Sequence, residues 1–338
     1  IGSVAEDIRN NAALTDRIRH KYKIKNTTGY SLNAFVDFDD PLDILLHLMI
    51  GSEGTLGFIS EVIYNTVVEH PQKASAMMIF PEMEAACTAA SILKKEPVAA
   101  AELMDRAALR SVQAKDGMPG YLKSLPESAA ALLVESRAYD AEELSENIQT
   151  VLKALEKLPT ERPIEFTDQP VEYTLLWNIR KGLFPAVGAV RDIGTTVIIE
   201  DVAFPIDSLA PATLELQKLM GRFHYDEAII FGHAREGNLH FVFTQDFGNR
   251  SEIERYSNFM HEVCEMVVQR YDGSLKAEHG TGRNMAPYVE MEWGAEAYEI
   301  MKRVKKLFDP DHLLNPGVIV NANPQAHIEN LKPLPQTN

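Results

Sequence analysis

The chain has few cysteines, only Cys87 and Cys264 among 338 residues. Two distant thiols supply neither the paired spacing of a zinc site nor the framework of a disulfide-rich secreted protein. We therefore expect each cysteine to be a small buried apolar residue. A reducing, cytoplasmic location fits this composition best.

Long apolar runs and excess basic charge are also missing. No window reaches the roughly eighteen apolar residues of a membrane helix, and "IGSVAEDIRNN" at the start lacks the regions of a signal peptide. The net charge is −16, from 33 basic and 49 acidic residues. Nucleic acid and anionic membranes are therefore excluded as main partners. A small anionic substrate stays compatible if a few arginines converge.

Hydrophobic patterns from about residue 72 onward alternate between strand and helix. The predicted strands are "ASAMMIF", "VAAAELMD", "AALLVESRA", "GTTVIIEDVAF", "EAIIFGH" and "LHFVFT". Helical patterns lie between most of them, which predicts an α+β domain with a sheet covered by helices on one face. The unbroken β-branched run in "GTTVIIEDVAF" predicts a fully buried strand.

The first 70 residues have a different pattern. "DPLDILLHLM" predicts a helix that begins after Asp40. "GSEGTLGFISEVIYNTV" predicts a glycine-rich turn that runs into a strand. Pro71 marks the expected domain boundary, which gives a division into 1–70, 71–320 and a tail at 321–338.

Two histidines, His233 and His240, flank a short glycine-containing segment in "GHAREGNLHFVF". If "AREG" reverses the chain, the strands become neighbours and the imidazoles approach each other. Neutral imidazole commonly ligates divalent metals, and Glu278 offers a third ligand, giving the two-His, one-carboxylate set of open catalytic sites. The alternative is a pair of hydrogen-bonded core histidines.

Several stretches resemble the C-terminal domain of FAD-linked oxidases. "GHAREGNLHF" is similar to the family's "GH-x-x-x-GN-x-H" signature, and "AEHGTGR" and "FDPDHLLNPG" are similar to its closing elements. "IGSEGTLGFISEV" resembles the end of the family's FAD-binding domain. The resemblance implies a flavoprotein of the vanillyl-alcohol-oxidase type, with D-lactate dehydrogenase, the glycolate oxidase flavin subunit and D-2-hydroxyglutarate dehydrogenase among its members.

The resemblance also implies an architecture. We expect a ferredoxin-like cap domain, whose antiparallel sheet is covered by helices, at 71–320, and the C-terminal remnant of the FAD-binding domain at 1–70. The family's pyrophosphate-binding loop has no match here, so the chain is expected to be a piece of a larger FAD and iron–sulfur oxidoreductase. By itself it is expected to bind FAD poorly and to be inactive.

For the reaction, the resemblance implies FAD-dependent oxidation of a D-2-hydroxy acid of the D-lactate or D-2-hydroxyglutarate class to the 2-oxo acid. His233, His240 and Glu278 would hold a divalent metal such as zinc or manganese, and His279 would act as the general base. Arg180 and Arg191 are the candidates for binding the substrate carboxylate. Electrons would leave through an iron–sulfur cluster in a domain outside this chain.

The family segments that line the flavin nucleotide match "TTGYSL" and "GSEGTLGFI", with a further match in "LNPG". The FAD candidates are Thr28, Gly29, Tyr30, Gly51, Ser52, Gly54, Thr55, Gly57, Ile59 and Asn315.

The sequence departs from the D-2-hydroxyglutarate dehydrogenases at Ile199, where they have lysine, and at Val242, where they have asparagine. The binding of a distal substrate group is therefore unassigned. Two rival hypotheses stay open: a metal-dependent hydrolase that uses the same three ligands, and an inert interaction module.

Overall fold

The computed structural model describes residues 1–331. The chain forms two compact units, each discontinuous in sequence. Within the described residues, unit 1 comprises 1–65, 201–205 and 260–331, and unit 2 comprises 66–200 and 206–259. None of the described helices is long and apolar enough to cross a membrane.

The continuous domains expected at 1–70 and 71–320 stay a prediction. The tail expected at 321–338 falls partly outside the described residues, since 332–338 are not among them.

The helices of both units are numbered in chain order. They are α1 (Gly2–Arg9), α2 (Ala12–Lys21), α3 (Ala34–Asp37), α4 (Pro41–Leu48), α5 (Met83–Leu93), α6 (Arg106–Val112), α7 (Ala141–Leu155), α8 (Pro170–Lys181), α9 (Leu183–Val190), α10 (Leu209–Arg222), α11 (Arg250–Glu265), α12 (Gly282–Met285) and α13 (Val289–Phe308).

A six-stranded sheet has the order β1-β3-β2-β5-β6-β4. Its strands are β1 (Gln72–Phe80), β2 (Ala100–Met104), β3 (Ala130–Ala138), β4 (Thr195–Ala203), β5 (Ile229–His233) and β6 (Asn238–Asp246). The pairs β1–β3, β2–β3, β2–β5 and β5–β6 are antiparallel. The predicted α+β class with an antiparallel sheet is confirmed.

Helices cover both faces of this sheet. Ala74 and Ile79 of β1 point to opposite faces because they lie an odd number of residues apart. Ala74 packs with Leu144 of α7, whereas Ile79 packs with Ile179 of α8 and Leu183 of α9. The prediction of helices on one face was therefore wrong. Apolar residues at consecutive positions of "ASAMMIF" require cover on both sides.

The strand β4 lies at one edge of the sheet. Its first five residues are only partly buried, and its last four are buried. The prediction of a fully buried strand was wrong because an unbroken β-branched run is also compatible with an edge position that helices cover incompletely.

The segment from residue 57 to residue 70 has no regular secondary structure. Phe58, Ile63 and Val67 are 91%, 89% and 92% exposed. The strand predicted here was wrong: a strand needs a neighbour for its backbone N–H and C=O groups, and no described residue pairs with this segment.

Local sequence signals correctly predicted the start of α4 and the burial of the two cysteines. Asp40 accepts the backbone N–H of Leu42 at 2.8 Å, and α4 begins at Pro41 as predicted. Cys87 and Cys264 are not joined in a disulfide and are both buried, as expected, and burial raises the pKa of the Cys87 thiol to about 12.

Candidate functional site

The two histidines of the glycine-containing segment lie on adjacent strands in unit 2. β5 ends at His233, a short turn spans Ala234–Glu236, and β6 carries His240. Gly237 ends the turn in the left-handed region, with φ of 68°, a conformation that favours glycine. The ring centroids of His233 and His240 are 5.3 Å apart at 88°. The predicted approach of the two imidazoles is confirmed.

Glu102 of β2 is a site residue that the sequence prediction missed. It is the register partner of His233, and its Oε1 lies 2.6 Å from Nδ1 of His233. Because an ionised carboxylate only accepts hydrogen bonds, this contact assigns a proton to Nδ1, and the neutral ring then has its lone pair on Nε2. The sequence signal that could have identified Glu102 is its position as an acidic residue inside the otherwise apolar strand "AAELM".

The charge state of Glu102 follows from competing effects. Burial opposes ionisation, but the hydrogen bond and charge of His233 and the charge of Arg180 outweigh it. The pKa of the Glu102 carboxyl is therefore held below its usual value.

Arg180 of α8 contacts the same carboxylate. Its Nε donates to Oε2 of Glu102 at 2.9 Å, and its guanidinium lies 4.3 Å from the centroid of the Phe231 ring. Its side chain is 15% exposed. Among the described residues, Arg180 donates to a protein group through Nε. Its two terminal nitrogens therefore remain for a planar anion. The structure thus brings Arg180 to the His233 side of the sheet.

Arg191, the second arginine candidate, is placed differently. It follows α9 and donates from Nη1 to the carbonyl oxygen of Gly188 at 2.6 Å. It lines a cavity of about 480 Å³ with Arg110 and Glu227, and neither Arg180 nor His233 lines that cavity. The structure does not bring the two arginines into one group, and the role of Arg191 stays a prediction.

The carboxylate of Asp201 in unit 1 organises the other predicted residues. Oδ2 of Asp201, which is fully buried, accepts the backbone N–H of Glu278 at 2.6 Å and that of His279 at 2.9 Å. Gly280 follows with φ of 76°. Asp201, Glu278 and His279 each offer a ligand atom, and these atoms lie within 4.8 Å of one another. Carboxylate oxygens and an imidazole nitrogen suit zinc or manganese.

Glu278 has a charged neighbour in the same unit. Nζ of Lys25 lies 2.8 Å from Oε2 of Glu278, and both side chains are about one-third exposed, at 33% and 34%. A divalent cation at Glu278 must therefore compete with the Lys25 ammonium group.

Half of the predicted FAD contacts are buried in unit 1. These five are Thr28, Gly29, Tyr30, Ser52 and Thr55. The hydroxyl of Thr28 accepts the N–H of Lys276 at 2.9 Å, and the Tyr30 hydroxyl lies 2.7 Å from that of Thr55. Burial raises the pKa of Tyr30 to about 12. These residues are engaged in contacts inside unit 1.

The other FAD candidates, namely Gly51, Gly54, Gly57, Ile59 and Asn315, are accessible. Gly51 and Gly54 have φ of 73° and 69°, and a Cβ atom at either would meet nothing within 4 Å. Asn315 donates from Nδ2 to the carbonyl oxygen of Glu53 at 2.8 Å, which ties it to the same loop. These residues lie in an accessible loop, and their contact with a nucleotide stays a prediction.

Curated relatives align with this sequence over most of its length. The glycolate oxidase subunit GlcD of Bacillus subtilis is 31% identical over 277 residues, which cover 81% of this chain and 56% of that protein. The mitochondrial D-lactate dehydrogenase [cytochrome] of Arabidopsis thaliana is 29% identical, covering 82% and 47%. The D-2-hydroxyglutarate dehydrogenase of Stutzerimonas stutzeri is 25% identical, covering 90% and 61%. The chain thus spans about half the length of these relatives.

Solved structures show the same fold. An alkyldihydroxyacetonephosphate synthase aligns with a TM-score of 0.51 at 15% identity, covering 83% of this chain and 50% of that one. The 4-ethylphenol oxidase of Gulosibacter chungangensis aligns with a TM-score of 0.54 at 12% identity, covering 76% and 55%. At this level of identity the comparison shows the fold alone.

The sequence family described as FAD linked oxidases, C-terminal domain, matches residues 69–319. The match covers well over half of the 338-residue chain. The protein therefore belongs to the family of FAD-linked oxidases and carries its C-terminal domain.

Proposed function

We propose that this chain supplies the substrate-binding part of an FAD-dependent dehydrogenase that oxidises a D-2-hydroxy acid to the 2-oxo acid. The relatives named for glycolate, D-lactate and D-2-hydroxyglutarate support oxidation of a hydroxy acid. D-lactate and D-2-hydroxyglutarate are the substrate classes that we favour. Because the chain spans about half of its relatives, the activity is proposed for a longer, cytoplasmic protein that contains it.

The observation that carries the proposal is the Glu102 carboxylate, which contacts both His233 and Arg180. It places a histidine with an assigned ligand nitrogen beside an arginine that has its terminal nitrogens available. A 2-hydroxy acid presents a hydroxyl next to a carboxylate. A metal ligand and a guanidinium held on one carboxylate match that pair of groups.

We assign a divalent cation, such as zinc or manganese, to His233, His240 and Glu278. The residues present fit such an ion: Nδ1 of His233 is held by Glu102, the two imidazoles are 5.3 Å apart, and Asp201 shapes the backbone that carries Glu278. When bound, the cation supplies Lewis-acid stabilisation of a developing alkoxide.

His279 is the proposed general base for the substrate hydroxyl proton. Its backbone N–H is held by Asp201, and imidazole groups in general exchange protons near neutral pH. Arg180 binds the substrate carboxylate through its terminal nitrogens and so orients C2 of the substrate. Arg191 is a second, separate candidate for anion binding.

FAD would supply the electron sink for the hydride that leaves C2 of the substrate. The accessible loop residues Gly51, Gly54, Gly57 and Ile59, with Asn315, are the proposed nucleotide contacts of this chain. The buried candidates would contribute by supporting that loop, a role that the Tyr30–Thr55 hydroxyl contact within unit 1 supports. We propose that electrons then pass to an iron–sulfur domain of the longer protein.

Metal titration of the metal-free chain tests the proposal. We expect binding of Mn²⁺ in calorimetry and a weakening on the order of a hundredfold in His233→Asn, since a ligand is lost. His312→Asn is the matched control because His312 is exposed and no role is proposed for it. D-lactate or D-2-hydroxyglutarate should raise the melting temperature of the metal-loaded chain more than the L-enantiomers do.

Two results would contradict this proposal. Equal Mn²⁺ affinity in His233→Asn and wild type removes the metal assignment. Metal-dependent hydrolysis of esters or amides by the chain, without any effect of D-2-hydroxy acids, favours the hydrolase hypothesis.

A further inference from the structure

One buried carboxylate, that of Glu102, accepts hydrogen bonds from two side chains that have different roles in the proposed function. Oε1 lies 2.6 Å from Nδ1 of His233, and Oε2 accepts Nε–H of Arg180 at 2.9 Å. The Glu102 side chain is only 7% exposed. Among the described residues each oxygen contacts one donor side chain, and water has little access to replace either one.

We propose that Glu102 is a positioning residue that selects the Nδ1–H tautomer of His233 and orients Arg180 at the same time. The roles of His233 and Arg180 rest on the proposed function, whereas the tautomer follows from the contacts alone. An ionised carboxylate accepts hydrogen bonds only, and a guanidinium donates only. The Nδ1 atom facing Oε1 must then carry a proton, and in the neutral imidazole Nε2 keeps the lone pair.

The backbone holds Glu102 firmly enough for this task. β2 is an interior strand, and Glu102 is the register partner of His233 on β5 and of Leu133 on β3. Arg180 is held from the other side by the Phe231 ring, 4.3 Å from its guanidinium carbon. The carboxylate therefore lies between two fixed partners and has little rotational freedom.

A second buried carboxylate on the sheet provides a matched control. Glu135 of β3 accepts Nε1–H of Trp177 at 2.9 Å and Nε–H of Arg137 at 2.6 Å. Trp177 lies on α8 three residues before Arg180, so one helix contacts both carboxylates. The Glu135 side chain is 4% exposed and that of Glu102 7%, but the hydrogen bonds of Glu135 do not involve His233.

The substitution Glu102→Gln affects the contact with His233 differently from the contact with Arg180. The amide has one acceptor oxygen and one donor NH₂ group, so it cannot accept from two donors. Arg180 cannot become an acceptor, and it takes the amide oxygen. The NH₂ group then faces Nδ1 of His233, which must become the acceptor. The proton of His233 moves to Nε2, the atom that the proposed metal needs.

The experiment is long-range ¹H–¹⁵N NMR of the histidine rings in the metal-free chain at pH 8, with His233 assigned from the His233→Asn spectrum. We expect the Nδ1–H pattern in wild type and in Glu135→Gln, and the Nε2–H pattern in Glu102→Gln. In parallel, Mn²⁺ affinity should fall about 10- to 100-fold in Glu102→Gln and stay unchanged in Glu135→Gln.

The outcomes separate the two hypotheses. An Nδ1–H tautomer that persists in folded Glu102→Gln overturns the inference, and so does an Nε2–H tautomer in wild type, which needs no variant to fold. If the tautomer switches as expected but the wild-type chain binds no Mn²⁺, the positioning role of Glu102 is supported and the proposed metal site fails.

Discussion

Gly232 packs against Asn238 so closely that a Cβ atom on Gly232 would lie 2.3 Å from the Asn238 carbonyl oxygen. The contact is made to backbone, which cannot rotate away as a side chain can. Gly232 precedes His233, and Asn238 begins the strand that carries His240. We expect Gly232→Ala to destabilise the protein by about 2–3 kcal/mol through overpacking and to weaken Mn²⁺ binding by separating the imidazoles. Denaturant unfolding and calorimetry measure the two effects.

Gly221 is the matched control for this substitution. It lies in α10 of the same unit, and a Cβ atom there would meet nothing within 4 Å. Gly221→Ala should leave Mn²⁺ binding unchanged and stabilise the helix by up to about 1 kcal/mol. Similar behaviour of the two variants would show that the approach of β5 to β6 does not depend on glycine.

From the Lys25–Glu278 ion pair we predict that removal of the Lys25 charge strengthens metal binding. Removal of the ammonium group, 2.8 Å from the Glu278 carboxylate, removes one competitor of a cation at that carboxylate. We expect Lys25→Met to raise Mn²⁺ affinity by up to about fivefold, because a partly exposed ion pair contributes at most about 1 kcal/mol. Calorimetric titration at constant ionic strength measures the change.

Lys23→Met is the control because it removes the same charge two positions away. Lys23 is exposed and forms no ion pair among residues 1–331. A gain of equal size in both variants would reflect net charge alone, and it would argue against Glu278 as a ligand.

Local sequence signals were sufficient to predict the six strands of the sheet and the histidine hairpin. A seven-residue spacing with a glycine turn brought His233 and His240 together because both belong to one β-hairpin. Glu102 could not be found in that way. It meets His233 across 131 positions of sequence, and a pattern in one strand does not say which other strand will be its neighbour. Asp201 was missed for the same reason, since its contact to Glu278 spans 77 positions.

Solvent exposure was predicted less well than element type. The apolar residues of 57–70 have strand propensity, but propensity is realised only where a neighbouring strand is present. β4 shows the converse case, in which a strongly β-branched segment forms a strand at the edge of the sheet. In both cases the decisive information is the tertiary neighbour, which a short window of sequence does not contain.

The buried carboxyl of Asp105, the N-cap of α6, leads us to predict a specific pH dependence of stability. Burial raises its pKa to about 7, against hydrogen bonds from the Ala108 backbone and the Gln217 side chain and the charge of Arg110. With an unfolded value of 3.8, the folded state binds more protons between about pH 4 and pH 7. Stability from this group is therefore present at low pH, is lost as pH rises to about 7, and is flat above it.

We expect Asp105→Asn to keep the cap, because Oδ1 still accepts the Ala108 N–H, and to remove the ionisation penalty. The variant should be more stable than wild type above pH 7, by up to about 4 kcal/mol, and the difference should shrink toward pH 4. Urea unfolding across this range measures it. Asp140→Asn, at the exposed N-cap of α7, is the control, and an equal pH-dependent difference there would contradict the assignment to Asp105.

The ion pair of Lys21 and Glu292 connects α2 to α13 in the interior of unit 1. The charged atoms are 3.1 Å apart, and neither side chain is exposed. Glu292 also accepts the Leu275 backbone N–H at 2.8 Å, three positions before Glu278. Removing one partner of a buried pair leaves the other charge uncompensated. We therefore expect Lys21→Met to cost about 3–5 kcal/mol and to weaken Mn²⁺ binding by loosening the Glu278 backbone.

Three variants, followed by urea unfolding, separate charge burial from simple loss of an ion pair. Arg303→Met breaks the exposed Arg303–Asp7 pair, where the side chains are 42% and 53% exposed, and should cost less than about 1 kcal/mol. Lys21→Met combined with Glu292→Leu removes both buried charges and should recover part of the loss, because an apolar pair has no desolvation penalty. If Lys21→Met is as mild as Arg303→Met, the buried pair does not stabilise the backbone that leads to Glu278. If the double variant is less stable than Lys21→Met alone, the hydrogen bonds from Asn26 and Leu275 to Glu292 contribute more than its charge costs.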